Sequence, residues 1–249
     1  MLDHATVSKL RQMKLSVMAD AFRTQFQAVS KDDLSFDERF GLLVDAEWDA
    51  RRANSLKRMI RKASYFCQDA ALENIDYSQD RQLDKALIAR LGSCNYISEH
   101  HNIIIVGATG SGKTYLACAF GMAANRNFIP SRYIRLPDLL GELAIARSEG
   151  TYRKLVRHYQ RVSLLILDEW LLYPLRENEV AEVMELIEKR QKRTSTVFCS
   201  QFDVPDWHQR LGESTLADAI CDRIVHDAYR IEIHGDDSMR RLYGVKEGA

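Results

Sequence analysis

Residues 107–114 read GATGSGKT and follow the apolar run IIIV at 103–106. The pattern is GxxxxGK[ST], with a buried-type strand before it and an amphipathic helix, YLACAFGMAANR, after it. Its glycines let the backbone curl so that successive amides point inward at phosphate oxygens, and the helix adds the positive end of its dipole. Gly107, Ala108, Thr109, Gly110, Ser111 and Gly112 are therefore expected to cradle the phosphates of a nucleotide. Lys113 is expected to reach the β- and γ-phosphates, and Thr114 to ligate Mg2+ through its hydroxyl. The loop alone leaves open whether the triphosphate is transferred, sensed or hydrolysed.

The rest of the chain reads as a parallel sheet preceded by helices. Apolar runs alternate with helical stretches toward the C-terminus, as in βαβ units, with candidate strands at 103–106, 132–135, 164–167, 196–199 and 229–233. Upstream, Leu10, Met13, Met18, Phe22 and Phe26 recur at helical spacing with neither Gly nor Pro among them, which predicts one helix from Ala5 to Val29. Ser35 and Glu38 form a capping-box pattern that opens a second helix running to about Tyr65. Periodicity weakens over ALENIDYSQD at 71–80, before a short helix near Arg81 to Leu91. The expected division is a helical domain over 1–75 and a nucleotide-binding domain over 76–249, in which 76–95 is linker and lead-in helix.

LLILDEW carries the second half of the expected site. Asp168 ends an interior strand, where a doubly wound sheet places its ligand crevice, and is expected to hold Mg2+. Glu169 is placed to polarise an attacking water, which favours hydrolysis over transfer to a bound acceptor. Gln201, after the strand in TSTVFCSQ, would sit beside the γ-phosphate if that strand neighbours the one bearing Asp168; it reads equally as a surface residue ending a strand.

Lys+Arg and Asp+Glu number 35 each, so net charge predicts no partner and only local clusters are informative. In RRANSLKRMIRK, Arg51, Arg52, Lys57, Arg58, Arg61 and Lys62 are basic and none is acidic. At about 100° per residue, Arg51, Arg58, Arg61 and Lys62 share one helical face while Leu56, Met59, Ile60 and Ala63 lie on another. Such a ridge suits a sugar-phosphate backbone, which it would grip without reading bases. A solvated face neutralised by upstream acids such as Asp45, Glu47 and Asp49 is the alternative. Arg153, Lys154 and Arg157, in RSEGTYRKLVRHYQR, form a second basic segment. The five cysteines show no CxxC pair and read as reduced thiols. No apolar run approaches the roughly 20 residues that span a bilayer, and the N-terminus lacks a secretory signal, so a cytoplasmic protein is expected.

Together, GATGSGKTYLA, LLILDEW, STVFCSQ, DVPDWHQRLGESTLADAICDRIVHDA and GDDSMRR resemble the IstB/DnaC group of AAA+ ATPases, nearer to the IstB-type helpers of bacterial insertion sequences. The resemblance covers nearly the whole chain. It implies an α/β fold: a P-loop AAA+ core with a parallel sheet flanked by helices, preceded by a small all-α N-terminal domain. About fifteen residues follow the last expected strand, so the lid is short or absent. It makes Asp168 and Glu169 the Walker B pair and puts Gln201 at the sensor-1 position, commonly asparagine in relatives. Arg223 becomes an arginine finger reaching a neighbouring subunit's nucleotide, and Arg240 a second sensor, with Arg241 beside it equally placed. The activity implied is ATP hydrolysis with ATP and Mg2+ as cofactors, by a homo-oligomer assembled in the ATP state on duplex DNA, largely without sequence preference. A transposase would be the client, with no membrane involved and association with the nucleoid when on DNA. A DnaC-like loader of a replicative helicase is the alternative, with an N-terminal region that binds protein. A P-loop kinase is disfavoured by Glu169 and by the finger arginine.

Overall fold

The computed structural model describes residues 2–27, 34–78 and 81–234. Strands β1 (Asn102–Gly107), β2 (Ser131–Arg135), β3 (Leu164–Asp168), β4 (Ser195–Ser200) and β5 (Ala228–Ile233) form one sheet in the order β2-β3-β4-β1-β5. Every pairing is parallel. All five strands lie within two residues of their expected positions. A parallel sheet is covered on both faces, which is why these segments are continuous apolar runs. Period-two alternation survives in which core each residue enters. Ile103, Ile105, Leu164, Ile166, Val197 and Cys199 join one core, and Ile104, Val106, Leu165, Leu167 and Phe198 the other.

Helices α4 (Lys85–Gly92) and α6 (Lys113–Arg126) supply Ile88, Leu91, Leu116 and Phe120 to the first core. The second is built with α7 (Leu136–Ser148), α8 (Tyr152–Arg161), α9 (Glu177–Arg190), α10 (Val204–Arg210) and α11 (Thr215–Val225). A short α5 (Asn95–Ser98) precedes β1. The helix expected near Arg81 to Leu91 starts later, at Lys85, because Asp84 caps it by accepting from the amides of Ala86 (2.9 Å) and Leu87 (3.0 Å). No described helix is long and apolar enough to cross a membrane.

The N-terminal segment departs from expectation. In place of one helix there are two, α1 (Leu2–Gln12) and α2 (Ser16–Gln27), followed by α3 (Phe36–Ala63). The break is a Schellman turn: Lys14 is left-handed (φ 61°), its amide bonds Arg11 O at 2.9 Å, and the amide of Leu15 bonds Leu10 O at 2.9 Å. Glu47 on α3 completes the turn. Its carboxylate accepts from the amides of Val17 and Met18, both at 3.0 Å, at the exposed start of α2. The Arg51 guanidinium 2.7 Å away, aided by the Met18 amide, holds that carboxyl below the usual carboxylate range. The capping box opens α3 as expected, with Glu38 accepting from the Ser35 amide at 2.7 Å.

The chain divides into two compact units, Met1–Arg58 and Met59–Ala249, and the division falls within α3, not near residue 75. Ala63, Tyr65 and Ala70 are buried in the first core of the sheet, with Ile60 packed against it, so this segment belongs to the nucleotide-binding unit.

One charged side chain is central to the second unit. Arg190 is 2% exposed. It donates from Nη1 to Tyr159 O (2.6 Å) and Val162 O (2.9 Å), from Nε to Thr196 Oγ1 (2.9 Å), and from Nη2 to Ser195 O. Burial pulls its pKa down to about 9, yet every bond it makes has the guanidinium as donor, which favours the cation. It ties the end of α8 to the start of β4. Arg190→Leu strands the carbonyls of Tyr159, Val162 and Ser195, and the unfolding midpoint in urea should fall by the equivalent of about 2–4 kcal/mol; an unchanged midpoint would show that the carbonyls find other donors.

Candidate functional site

The phosphate loop runs from the end of β1 into α6. Gly110 (φ 81°) and Gly112 (φ 95°) adopt left-handed backbone that other residues rarely take. At Gly107 the reason for glycine is space: a Cβ there would lie 2.6 Å from Ile233 O and 2.8 Å from Ser111 Oγ. Lys113, 8% exposed, donates from Nζ to Gly107 O and Ala108 O, each at 2.7 Å, so its ammonium sits over the loop. Ser111 Oγ is buried and without a hydrogen-bond partner.

Asp168 ends β3, and β4 lies between it and the loop-bearing β1. Its Oδ2 accepts from Thr114 Oγ1 at 2.7 Å and from Tyr133 OH at 2.8 Å, and its Oδ1 accepts from the Glu169 amide at 2.8 Å. Glu169 has a left-handed backbone (φ 52°), an uncommon conformation of the kind that clusters at functional sites. Its carboxylate is 3.7 Å from the guanidinium of Arg135, which is also held by Asp138 at 2.7 and 3.0 Å. Gln201 follows β4, and Thr109 Oγ1 donates to its Oε1 at 2.7 Å. The strand ahead of Gln201 does neighbour the one bearing Asp168, the condition on which its expected place beside the γ-phosphate depends.

These residues suit a phosphate-bound hard cation. A hydroxyl and a carboxylate 2.7 Å apart are oxygen donors. Among the described residues no group of three or more His, Cys, Asp and Glu could hold a metal alone, so further ligands would be phosphate and water, as Mg2+ prefers.

Arg223 lies half-buried on α11, its Nη1 donating to Ala219 O of the same helix at 2.9 Å and its Nε buried without a partner. Arg240 lies outside the described residues, as does Arg241.

Of the expected DNA contacts, Arg51 is committed within the first unit, to Glu47 at 2.7 Å and to Lys14 O at 2.8 Å, so a phosphate would compete with a carboxylate for it. Arg52 and Arg58, also in that unit, are exposed, as is Lys57. In the second unit Arg61 and Lys62 are exposed at the end of α3. On α8, Val156 and Tyr159 are buried while Arg153, Lys154, Arg157, His158 and Arg161 are exposed. These five line an open cleft of about 600 Å³ with Pro130 and Val162. Among the described residues, Arg153, Lys154, Arg157 and Arg161 have no ion-pair partner; their charge faces solvent. Arg132 joins this patch to the end of α3 by donating to Lys62 O at 3.1 Å. Burial, then the charges of Arg132 and Lys62, push the His158 pKa down from its ordinary value. Cations that the sequence separates by ninety residues therefore share one surface.

Nearly the whole chain has counterparts among known proteins. It matches the family model described as IstB-like ATP binding protein over residues 8–245. The chain belongs to this family. A relative named as an insertion sequence ATP-binding protein, y4pL of Sinorhizobium fredii, is 42% identical over 97% of this chain and 98% of its own. AMPPCP-bound DnaA from Aquifex aeolicus has a TM-score of 0.58 and 22% identity over 71% of this chain; the match spans 54% of the DnaA chain, about half its length. The DnaC helicase loader has a TM-score of 0.56 and 19% identity, covering 66% of this chain and 97% of the loader. At such identities these two show a shared fold, that of AAA+ P-loop proteins.

Three members of this IstB-like site escaped the sequence. Tyr133 and Arg135 come from β2, and nothing in RYIR signals that Arg135 lies in register with Asp168. Arg81, 8% exposed in the expected linker, donates to Ser111 O of the phosphate loop and to Asp76 O, both at 2.8 Å. Gly107→Ala should lower ATP affinity about tenfold or more, about 1.4 kcal/mol, because the new methyl meets the Ile233 carbonyl. Titration with a fluorescent nucleotide measures this, and wild-type affinity would show the cradle tolerates displacement.

Proposed function

We propose that this chain is a DNA-dependent AAA+ ATPase that assembles on duplex DNA in its ATP state and presents that site to a transposase. Membership of the IstB-like family and the names of its insertion-sequence relatives support the transposition context. The observation that carries the chemistry is the arrangement of Lys113, Thr114, Asp168, Glu169 and Gln201 around the ends of β1, β3 and β4.

In this reading Lys113 exchanges its two carbonyl acceptors for β- and γ-phosphate oxygens. Thr114 and Asp168 hold Mg2+, which when bound would offset charge on the phosphates. Thr114 can donate its proton to Asp168 and still offer a lone pair outward. Glu169 polarises the attacking water, for which its carboxylate must be drawn off Arg135. Gln201, its Oε1 taken by Thr109, has its NH2 left to contact the γ-phosphate or the water. Arg223 of a neighbouring copy stabilises the charge on the transferring phosphoryl group, which makes ATP a contact between subunits. The ATP-dependent assembly is then a linkage: what binds the joined state stabilises it.

Glu169→Gln should reduce phosphate release at least about 100-fold while ATP-dependent assemblies on duplex DNA persist in sedimentation; Lys113→Ala should lose both. Monomers throughout in Glu169→Gln would overturn the reading, and a phosphorylated acceptor in place of free phosphate would point to a kinase.

The cations of α8, with Lys62 and Arg61, are proposed to contact DNA phosphates, as are Arg52 and Arg58 in the first unit. Neutralising a phosphate contact removes about 0.9 from the slope of log K against log salt. Arg157→Ala and Lys62→Ala should each make that slope shallower by about 1 without changing any preference among sequences. Unchanged slopes, with capture of a replicative helicase in place of DNA, would favour the loader.

A further inference from the structure

Asp168 carries more donors than a metal-holding carboxylate needs, and one comes from a strand outside the known motifs. Tyr133 lies on β2, the edge strand beside β3, in register with Ile166. Its ring is 7% exposed and belongs to the core that also contains Ile166 and Leu116 of α6. Phenylalanine would fill that space equally well. The hydroxyl is therefore the part to explain, and it donates to Asp168 Oδ2 at 2.8 Å. Thr114 Oγ1 donates to the same oxygen at 2.7 Å, and the Glu169 amide holds the other at 2.8 Å. Two bonds to an ionised oxygen from different elements, α6 and β2, fix the carboxylate plane as one bond could not.

We propose that Tyr133 is a positioning residue: its hydroxyl sets the rotamer of Asp168, and through it the direction in which Thr114 presents its hydroxyl to the nucleotide-bound Mg2+. The inference rests on the reading that Thr114 and Asp168 hold the cation. Nothing in it requires Tyr133 to touch nucleotide or metal.

The test compares the full chain with Tyr133→Phe, Asp168→Asn and Thr114→Ala in fluorescent-nucleotide binding, titrated with Mg2+ and repeated in EDTA. Tyr133→Phe is expected to raise the Mg2+ concentration for half-maximal tightening about tenfold while leaving affinity in EDTA unchanged. A merely structural tyrosine would weaken both arms together or neither. In the Thr114→Ala background the Tyr133→Phe shift should shrink, since both hydroxyls act through one oxygen. If Asp168→Asn shifts the Mg2+ midpoint and Tyr133→Phe does not, the positioning role is wrong. If Asp168→Asn itself leaves the midpoint unmoved, the assignment of the cation to this pair fails instead.

Discussion

The hydrogen bond from Thr114 Oγ1 to Asp168 Oδ2 joins residues 54 apart in the chain, one in the first turn of α6, which follows β1, and the other at the end of β3, a strand that does not neighbour β1. It forms because β4 lies between β1 and β3. One interposed strand puts about 10 Å between their axes, a gap that the first turn of α6 and the end of β3 close from either side. The same insertion brings Gln201 beside the phosphate loop, where Thr109 bonds it. Loop, acid and Gln201 are thus set by the order of three strands. That order is held by two cores whose side chains alternate along each strand.

Around this centre, polar contacts connect the acidic pair to the elements that follow β2. Arg135 ends β2, immediately precedes α7, bonds Asp138 in the first turn of α7 and lies 3.7 Å from Glu169. The next helix, α8, carries exposed cations on one side and Val156 and Tyr159 on the other. Arg190 anchors the end of that helix through Tyr159 O and Val162 O. The cations of α8 and the acidic pair therefore rest on consecutive pieces of one chain segment, from β2 to the end of β3 and the residue after it.

Within the first unit, short-range patterning was only partly legible. The capping box at Ser35 and Glu38 is local, and it appears as read. The break at Lys14 was invisible because lysine gives no signal for left-handed backbone; the turn is stabilised from α3 by Glu47 and Arg51, some thirty-five residues away. That contact also changes what Arg51 can do. Charge counted along a helix does not tell which cations face a carboxylate.

The sequence by itself determined the strands, the phosphate loop and the acidic pair, because each is a local pattern: apolar runs bounded by polar ends, glycines where the backbone must curl, an acid at a strand terminus. Tertiary structure alone decided strand order, the register that sets Tyr133 and Arg135 against the acids, Arg81 on the loop, and the meeting of Lys62, Arg132 and α8 on one surface. Strand neighbours and side-chain partners are chosen by packing between distant segments, and no spacing within a segment encodes that choice.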